Sequence, residues 1–136
     1  MKTQNNTIEV VAALLKQDGK YLVFQRPPQK ARGLLWEFVG GKIEKGETPQ
    51  EALVRECMEE LGVTITAGEP FMDVTHEYPD ITVHLTVLHA AIRSGEVQLL
   101  EHAAMRAVTA DEMLRMDFCP ADEVILHRIQ SIEKES

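Results

Sequence analysis

The stretch TPQEALVRECMEELG, residues 48–62, carries both ends of a helix in its own letters. Thr48 can cap the first turn, Pro49 suits the first helical position, and Glu51 completes a reciprocal capping box. Gly62 suits the stop, where a left-handed residue is often needed. The spacing predicts a helix over residues 49–61. At ~100° per residue, Leu53, Val54, Cys57, Met58 and Leu61 fall on one stripe, expected to face the core. Glu56, Glu59 and Glu60 fall on the opposite side with only Ala52 among them, and Arg55 lies off to one flank. Any fold of this chain must bury one side of the helix and tolerate a carboxylate cluster on the other.

Carboxylates three and four residues apart on a helix repel one another. Glutamates in a last turn also oppose the helix dipole, which favours cations there. A solvated face would interleave opposite charges, yet no lysine occurs between Lys45 and Lys134. Hard oxygen ligands on one rigid face suit Mg²⁺ or Mn²⁺, and the cation would offset the repulsion. A merely solvated acidic face is the plain alternative.

The net charge of −8 argues against a nucleic acid polymer held by its phosphate backbone, since such proteins carry a basic face. It leaves room for a small phosphorylated ligand, because bound divalent metal reverses the local sign of charge. No apolar run approaches the ~18 residues of a membrane span. The opening MKTQNNTIEV is too polar for a secretory signal, so a cytoplasmic location is expected. Cys57 and Cys119 lack C-x-x-C spacing and are expected to be reduced.

Residues 7–15 and 20–26 read as strands around the turn KQDG, and 27–33 as a loop bearing Lys30 and Arg32. Residues 34–42, LLWEFVGGK, read as one short strand ending at a glycine pair. A second hairpin is expected from 69–78 and 81–93, a short strand at 105–109, a helical turn at 110–114 and a closing helix over 120–132. Strands with two well-separated helices predict an α+β fold, layered α/β/α around a mixed sheet, in a single domain over 1–136.

From Gly41 to Val63 the chain runs GKIEKGETPQEALVRECMEELGV. This 23-residue pattern, G-x5-E-x7-R-E-U-x-E-E-x-G-U with U apolar, resembles the signature of the Nudix hydrolases, and every fixed position matches. The preceding LWEF-x-GGK and the late PAD resemble the MutT-like branch, which acts on nucleoside triphosphates. The resemblance implies the Nudix fold and release of pyrophosphate from an NTP or dNTP. By position, Glu56, Glu59 and Glu60 would hold Mg²⁺ and position or deprotonate the attacking water. The Gly40 carbonyl and Glu101 would be further ligands. Glu47 and Arg55 would pair to fix the loop against the helix, with Gly41 structural. Gly40 and Gly41 would let backbone approach the ion and could supply positive φ. Val39 departs from the pattern, standing where MutT-like sequences often have proline.

Outside the signature, Arg26 matches an arginine that contacts substrate phosphates in that branch. Lys30 and Arg32 either steer the triphosphate or are solvated. Phe38 and Tyr78 either pack on a base or belong to the core, and Trp36 is structural or lines the pocket. Asp122 aligns with the residue, commonly Asn, that reads a purine in MutT-like enzymes; its other reading is a cap on the last helix. An ionised Asp only accepts hydrogen bonds, which favours a base presenting a donor, whereas a protonated one widens the choice. His102, beside Glu101, either touches the site or is a loop histidine, and the loop reading is preferred. The expected function is a Mg²⁺-dependent pyrophosphohydrolase of oxidised or modified nucleotides such as 8-oxo-dGTP. The alternatives are CTP or 5-methyl-dCTP as substrate, an ADP-ribose-type hydrolase, or a non-catalytic nucleotide-binding module. The protein is expected as a monomer or homodimer.

Overall fold

The structure, a computed structural model, describes residues 7–135. The polar opening residues 1–6, on which the expectation about a leader largely rests, lie outside them. β1 (Thr7–Gln17) and β2 (Lys20–Gln25) form the first hairpin. Its turn residues Asp18 and Gly19 have φ of 54° and 79°, the left-handed pair that suits the twist of a two-residue hairpin.

β1 holds the sheet together. It runs parallel to β6 (Thr82–Ser94) from Thr7 to Leu15 and antiparallel to β4 (Gly40–Lys42) across Val10–Ala12. β5 (Thr64–Glu77) extends the sheet beyond β6 as a long hairpin. It starts earlier than expected, because register shifts around Ala67, Pro70 and Met72 absorb the irregular Gly68–Pro70 stretch while pairing continues. On the other flank β2 carries β3 (Trp36–Glu37) and β7 (Ala104–Val108).

Side chains of β1 alternate between two cores, as the pleat requires. Val11, Ala13 and Leu15 pack with Leu53, Cys57 and Leu61 of helix α1 (Pro49–Leu61). Ala12 and Leu14 pack on the opposite face with Met113 of α2 (Ala110–Met113) and Ile125 and Ile129 of α3 (Pro120–Glu135). The result is the expected α/β/α arrangement around a mixed sheet, of α+β class.

Two expectations change. The strand over 34–42 is two strands, β3 and β4, which pair with different partners. Between them the Phe38 N–H turns to the Asp122 side chain instead of to a neighbouring strand. The buried stripe of α1 is also rotated. Ala52, Leu53, Cys57 and Leu61 are buried, whereas Val54 and Met58 are 38% and 47% exposed. The helix leans toward β4, where glycines leave room for it. The core therefore extends to the side that carries Glu56 and Glu60, and these are not on an open face.

α1 keeps both predicted ends. Thr48 and Glu51 form the capping box, and Gly62 adopts φ 68° with its N–H bonded to the Met58 carbonyl. Leu53→Ala is expected to cost about 2–5 kcal/mol of stability. Val54→Ala and Met58→Ala should each stay within about 1 kcal/mol. Urea midpoints of the three variants check the rotation of the helix, and equal losses at positions 53 and 54 would contradict it.

Candidate active site

A cleft of ≈ 320 Å³ opens where β1, β2, β4 and the start of α3 meet. Arg26, Phe38, Gly41, Glu60, Tyr78 and Asp122 are among the residues around it. Its two ends differ in chemistry.

At one end stands the carboxylate cluster, held by Arg55. The Arg55 Nε–H and one Nη2–H donate to Glu47 at 2.7 and 3.0 Å. The other Nη2–H goes to the Lys42 carbonyl at 3.0 Å, and Nη1 donates to Glu56 at 3.0 Å and Glu59 at 3.2 Å. All five guanidinium donors are thus used, a geometry a lysine cannot supply. The Arg55 hydrogen bonds, with one from the Glu44 N–H, hold the Glu47 carboxyl below its ordinary range. Arg55 therefore offsets part of the repulsion for which a metal alone was expected to answer.

The three glutamates are not equivalent. The Glu59 side chain is 58% exposed and turned to Arg55, whereas Glu56 is 12% exposed. Glu60 lines the cleft, and its Oε1 is buried without a hydrogen-bond partner among the described residues. Burial first, then the charge and hydrogen bond of Glu56, push the Glu60 carboxyl up to about 9. Gly41 makes room for the pair, since a Cβ there would fall on the Glu56 carboxylate. A Cβ on Gly40 would strike the Val11 carbonyl. Neither glycine has positive φ, so close approach, not left-handed backbone, is what demands glycine here.

A buried orphan oxygen on a carboxyl raised by burial and by a neighbouring carboxyl is the environment that a divalent cation relieves. As found, no three acidic, histidine or cysteine side chains among the described residues enclose a cation position. Glu59, and Glu101 at 51% exposure with Lys30 3.8 Å away, are held by exposed ion pairs that cost little to exchange.

At the other end Asp122 is buried. Its Oδ2 accepts the Phe38 N–H at 2.9 Å, so the side chain reaches across to the sheet and does not cap its own helix. Burial, then the charge of Glu37, raise this carboxyl well above its ordinary range, against the pull of the Phe38 N–H and Arg26. Burial favours the protonated form of Asp122, the reading under which it can donate as well as accept. The Tyr78 hydroxyl oxygen accepts the Ala121 N–H at 3.0 Å, and the Arg32 guanidinium lies 4.1 Å from the Tyr78 ring centre. Arg32 also pairs with Asp80 at 3.2 Å. The Phe38 ring is buried against Phe118 in the α3-side core, and Trp36 packs against the same core.

Glu37, which the sequence did not single out, and His102, read there as touching the site or as a loop histidine, join these ends. Glu37 accepts from Arg26 Nη1 at 3.0 Å through Oε1, and its Oε2 lies 2.9 Å from His102 Nε2. A carboxylate flanked by Trp36 and Phe38 was the available signal for Glu37, and the neighbouring Glu101 was the signal for His102, whose burial depends on how the loop before β7 is pinned. The Leu100 N–H bonds the Glu60 carbonyl at 3.1 Å and the Ala103 N–H bonds the Gln25 carbonyl at 2.9 Å. Cys57 and Cys119 are both buried and unpaired in any disulfide.

Fold and site define the class: residues 10–128 match the NUDIX domain model, and the chain belongs to the Nudix hydrolases. It is 40% identical over 125 residues to a CTP pyrophosphohydrolase of Escherichia coli K12, covering 92% of this chain and 93% of that protein. An 8-oxo-dGTP diphosphatase of the same organism is 35% identical over 101 residues, covering 71% of this chain and 74% of that protein. The solution structure of the E. coli ORF135 protein superposes with a TM-score of 0.82 at 38% identity, covering 95% and 92% of the two chains.

The Glu56–Glu60 pair makes stability depend on pH. Free of metal, the folded pair keeps a proton that an unfolded glutamate releases near 4.5. The folded state then binds more protons, so stability should fall as pH rises from about 4.5 toward about 9. The slope should not exceed about 1.4 kcal/mol per pH unit. Urea midpoints measured in chelator across this range should show the decline, and Glu60→Gln should flatten it.

Proposed function

We propose that this chain is a divalent-metal-dependent nucleoside triphosphate pyrophosphohydrolase, with Mg²⁺ as its ion and Mn²⁺ as a substitute. It converts an NTP or dNTP and water to the monophosphate and pyrophosphate. The observation that carries the reading is the Glu60 carboxyl beside Glu56, with one buried oxygen unpartnered among the described residues, in a cleft that the buried Asp122 also lines.

Glu56, Glu59, Glu60, Glu101 and the Gly40 carbonyl would hold the ion, which supplies charge neutralisation and Lewis acidity to the phosphates. Glu56 or Glu59 takes the proton from water as the water oxygen bonds to phosphorus and the bridging P–O bond breaks. Arg26 binds phosphate oxygens from the cleft wall. Arg55 and Glu47 hold the loop before α1 against the helix, and Gly41 leaves space for the Glu56 carboxylate. Asp122, as an acid with Oδ2 on the Phe38 N–H, presents both a donor and an acceptor to a base edge. Tyr78, backed by Arg32, supplies an aromatic wall, and Phe38 contributes through its backbone.

The substrate is a free nucleotide of the cytoplasm, turned over by the chain as one domain, monomeric or as a homodimer. No helix of the described residues is long and apolar enough to cross a membrane. An oxidised nucleotide such as 8-oxo-dGTP is the first reading, in line with the diphosphatase relative. CTP or 5-methyl-dCTP is the second, favoured by the CTP pyrophosphohydrolase relative that matches nearly the whole chain. A donor–acceptor acid at position 122 complements either base edge.

Pyrophosphate release with and without Mg²⁺, over a panel with 8-oxo-dGTP, CTP and 5-methyl-dCTP, tests the proposal. Glu56→Gln is expected to lower kcat roughly 10²–10⁴-fold. Absence of metal-dependent turnover on every nucleotide would refute the hydrolase reading. Asp122→Ala should change the ranking of bases and leave the metal requirement intact, whereas an unchanged ranking removes Asp122 from recognition.

A further inference from the structure

His102 is a histidine where an apolar residue would pack as well. Its side chain is 4% exposed and its ring lies 5.2 Å, centre to centre, from Phe24, itself fully buried. Nδ1 is buried with no hydrogen-bond partner among the described residues. Leaving such a nitrogen unsatisfied is costly relative to a satisfied one. The polar contact this ring makes among the described residues is Nε2 to the Glu37 carboxylate at 2.9 Å. Since a carboxylate only accepts, the hydrogen sits on Nε2. The cost of the buried ring is offset only if that bond matters.

Glu37 is the point where the cleft's parts meet. Its Oε1 holds Arg26, whose Nε–H is anchored on the Ala31 carbonyl at 2.9 Å. Its charge is felt at both ends of the cleft, raising the carboxyls of Glu60 and Asp122. With one bond to each oxygen, the carboxylate still has lone pairs for a donor on a ligand. Without His102, Glu37 has Arg26 as its one remaining side-chain partner in these contacts and can rotate about it.

We propose that His102 is a positioning residue: its Nε2–H fixes the Glu37 carboxylate, and through it the Arg26 guanidinium, in the orientation that receives the nucleotide. This rests on the reading of the cleft as a nucleotide site. It is independent of the metal, because His102 acts on the ligand-facing pair Glu37 and Arg26.

Glutamine places an amide nitrogen near the position of Nε2, whereas asparagine is too short to reach Glu37. The test is calorimetric binding of the products CMP and 8-oxo-dGMP, with KM and kcat for the parent triphosphates, in His102→Asn and His102→Gln. Expected are Kd and KM raised roughly tenfold in H102N, the strength of a hydrogen bond to a charged group, with kcat little changed. H102Q should bind like the wild type, and the thermal midpoints of both variants should agree. In a Glu37→Ala background, H102N should add no further loss. Wild-type affinity in H102N, equal losses in H102N and H102Q, or additive losses with Glu37→Ala would each overturn the proposal. Wild type that binds the monophosphates but turns over no triphosphate refutes the hydrolase reading, while the binding series still decides on His102. Wild type that binds neither monophosphate overturns both.

Discussion

The Arg55 guanidinium ties together three parts of the chain. Its fork grips Glu47 in the loop before α1, the Lys42 carbonyl at the end of β4, and Glu56 and Glu59 on its own helix. Each contact is charge-assisted, and the planar donors fix direction as well as distance. The loop itself is primed for this. Gly46 turns it at φ 89°, and Glu47 closes it by accepting the Glu44 N–H. With loop and helix fixed, Gly41 of β4 comes to lie against the Glu56 carboxylate.

This fixing has an electrostatic consequence. Because α1 leans toward β4, Glu56 and Glu60 leave water, and burial together with the Glu56 charge raises the Glu60 carboxyl. At the far end Asp122 is buried by α3 and β3 and rises for the same reason. Glu37 lies between, bonded to Arg26 and His102. An acidic protein thus lines a cleft with carboxyls in three different settings: Glu60 raised by burial and by Glu56, Glu37 paired with a cation, and Asp122 raised by full burial. Such separation of carboxyl environments lets one residue type take several roles.

Much of the frame was legible from local chemistry. The ends of α1, the Asp18-Gly19 turn and the antiparallel hairpins depend on capping, left-handed turn residues and alternation within a few positions. The signature from Gly41 to Val63 named the carboxylates and the family in advance. The errors came where a neighbour decides. Helical angle put Val54 and Met58 in the core, but angle does not say toward which strand the helix leans. The run 34–42 looked like one strand because nothing local reveals that the Phe38 amide has a partner 84 residues away.

What the sequence by itself determined is therefore the helix with its caps, the strands and turns, and the set of glutamates available for chemistry. Those features depend on backbone preferences and side chains close along the chain. Only the tertiary structure decided which glutamates are buried, that Asp122 bonds the Phe38 amide between β3 and β4 and does not cap its helix, and that His102 and Glu37 belong together. Burial and long-range hydrogen bonding set those properties, and both depend on which surfaces meet when the sheet is sandwiched between its helices.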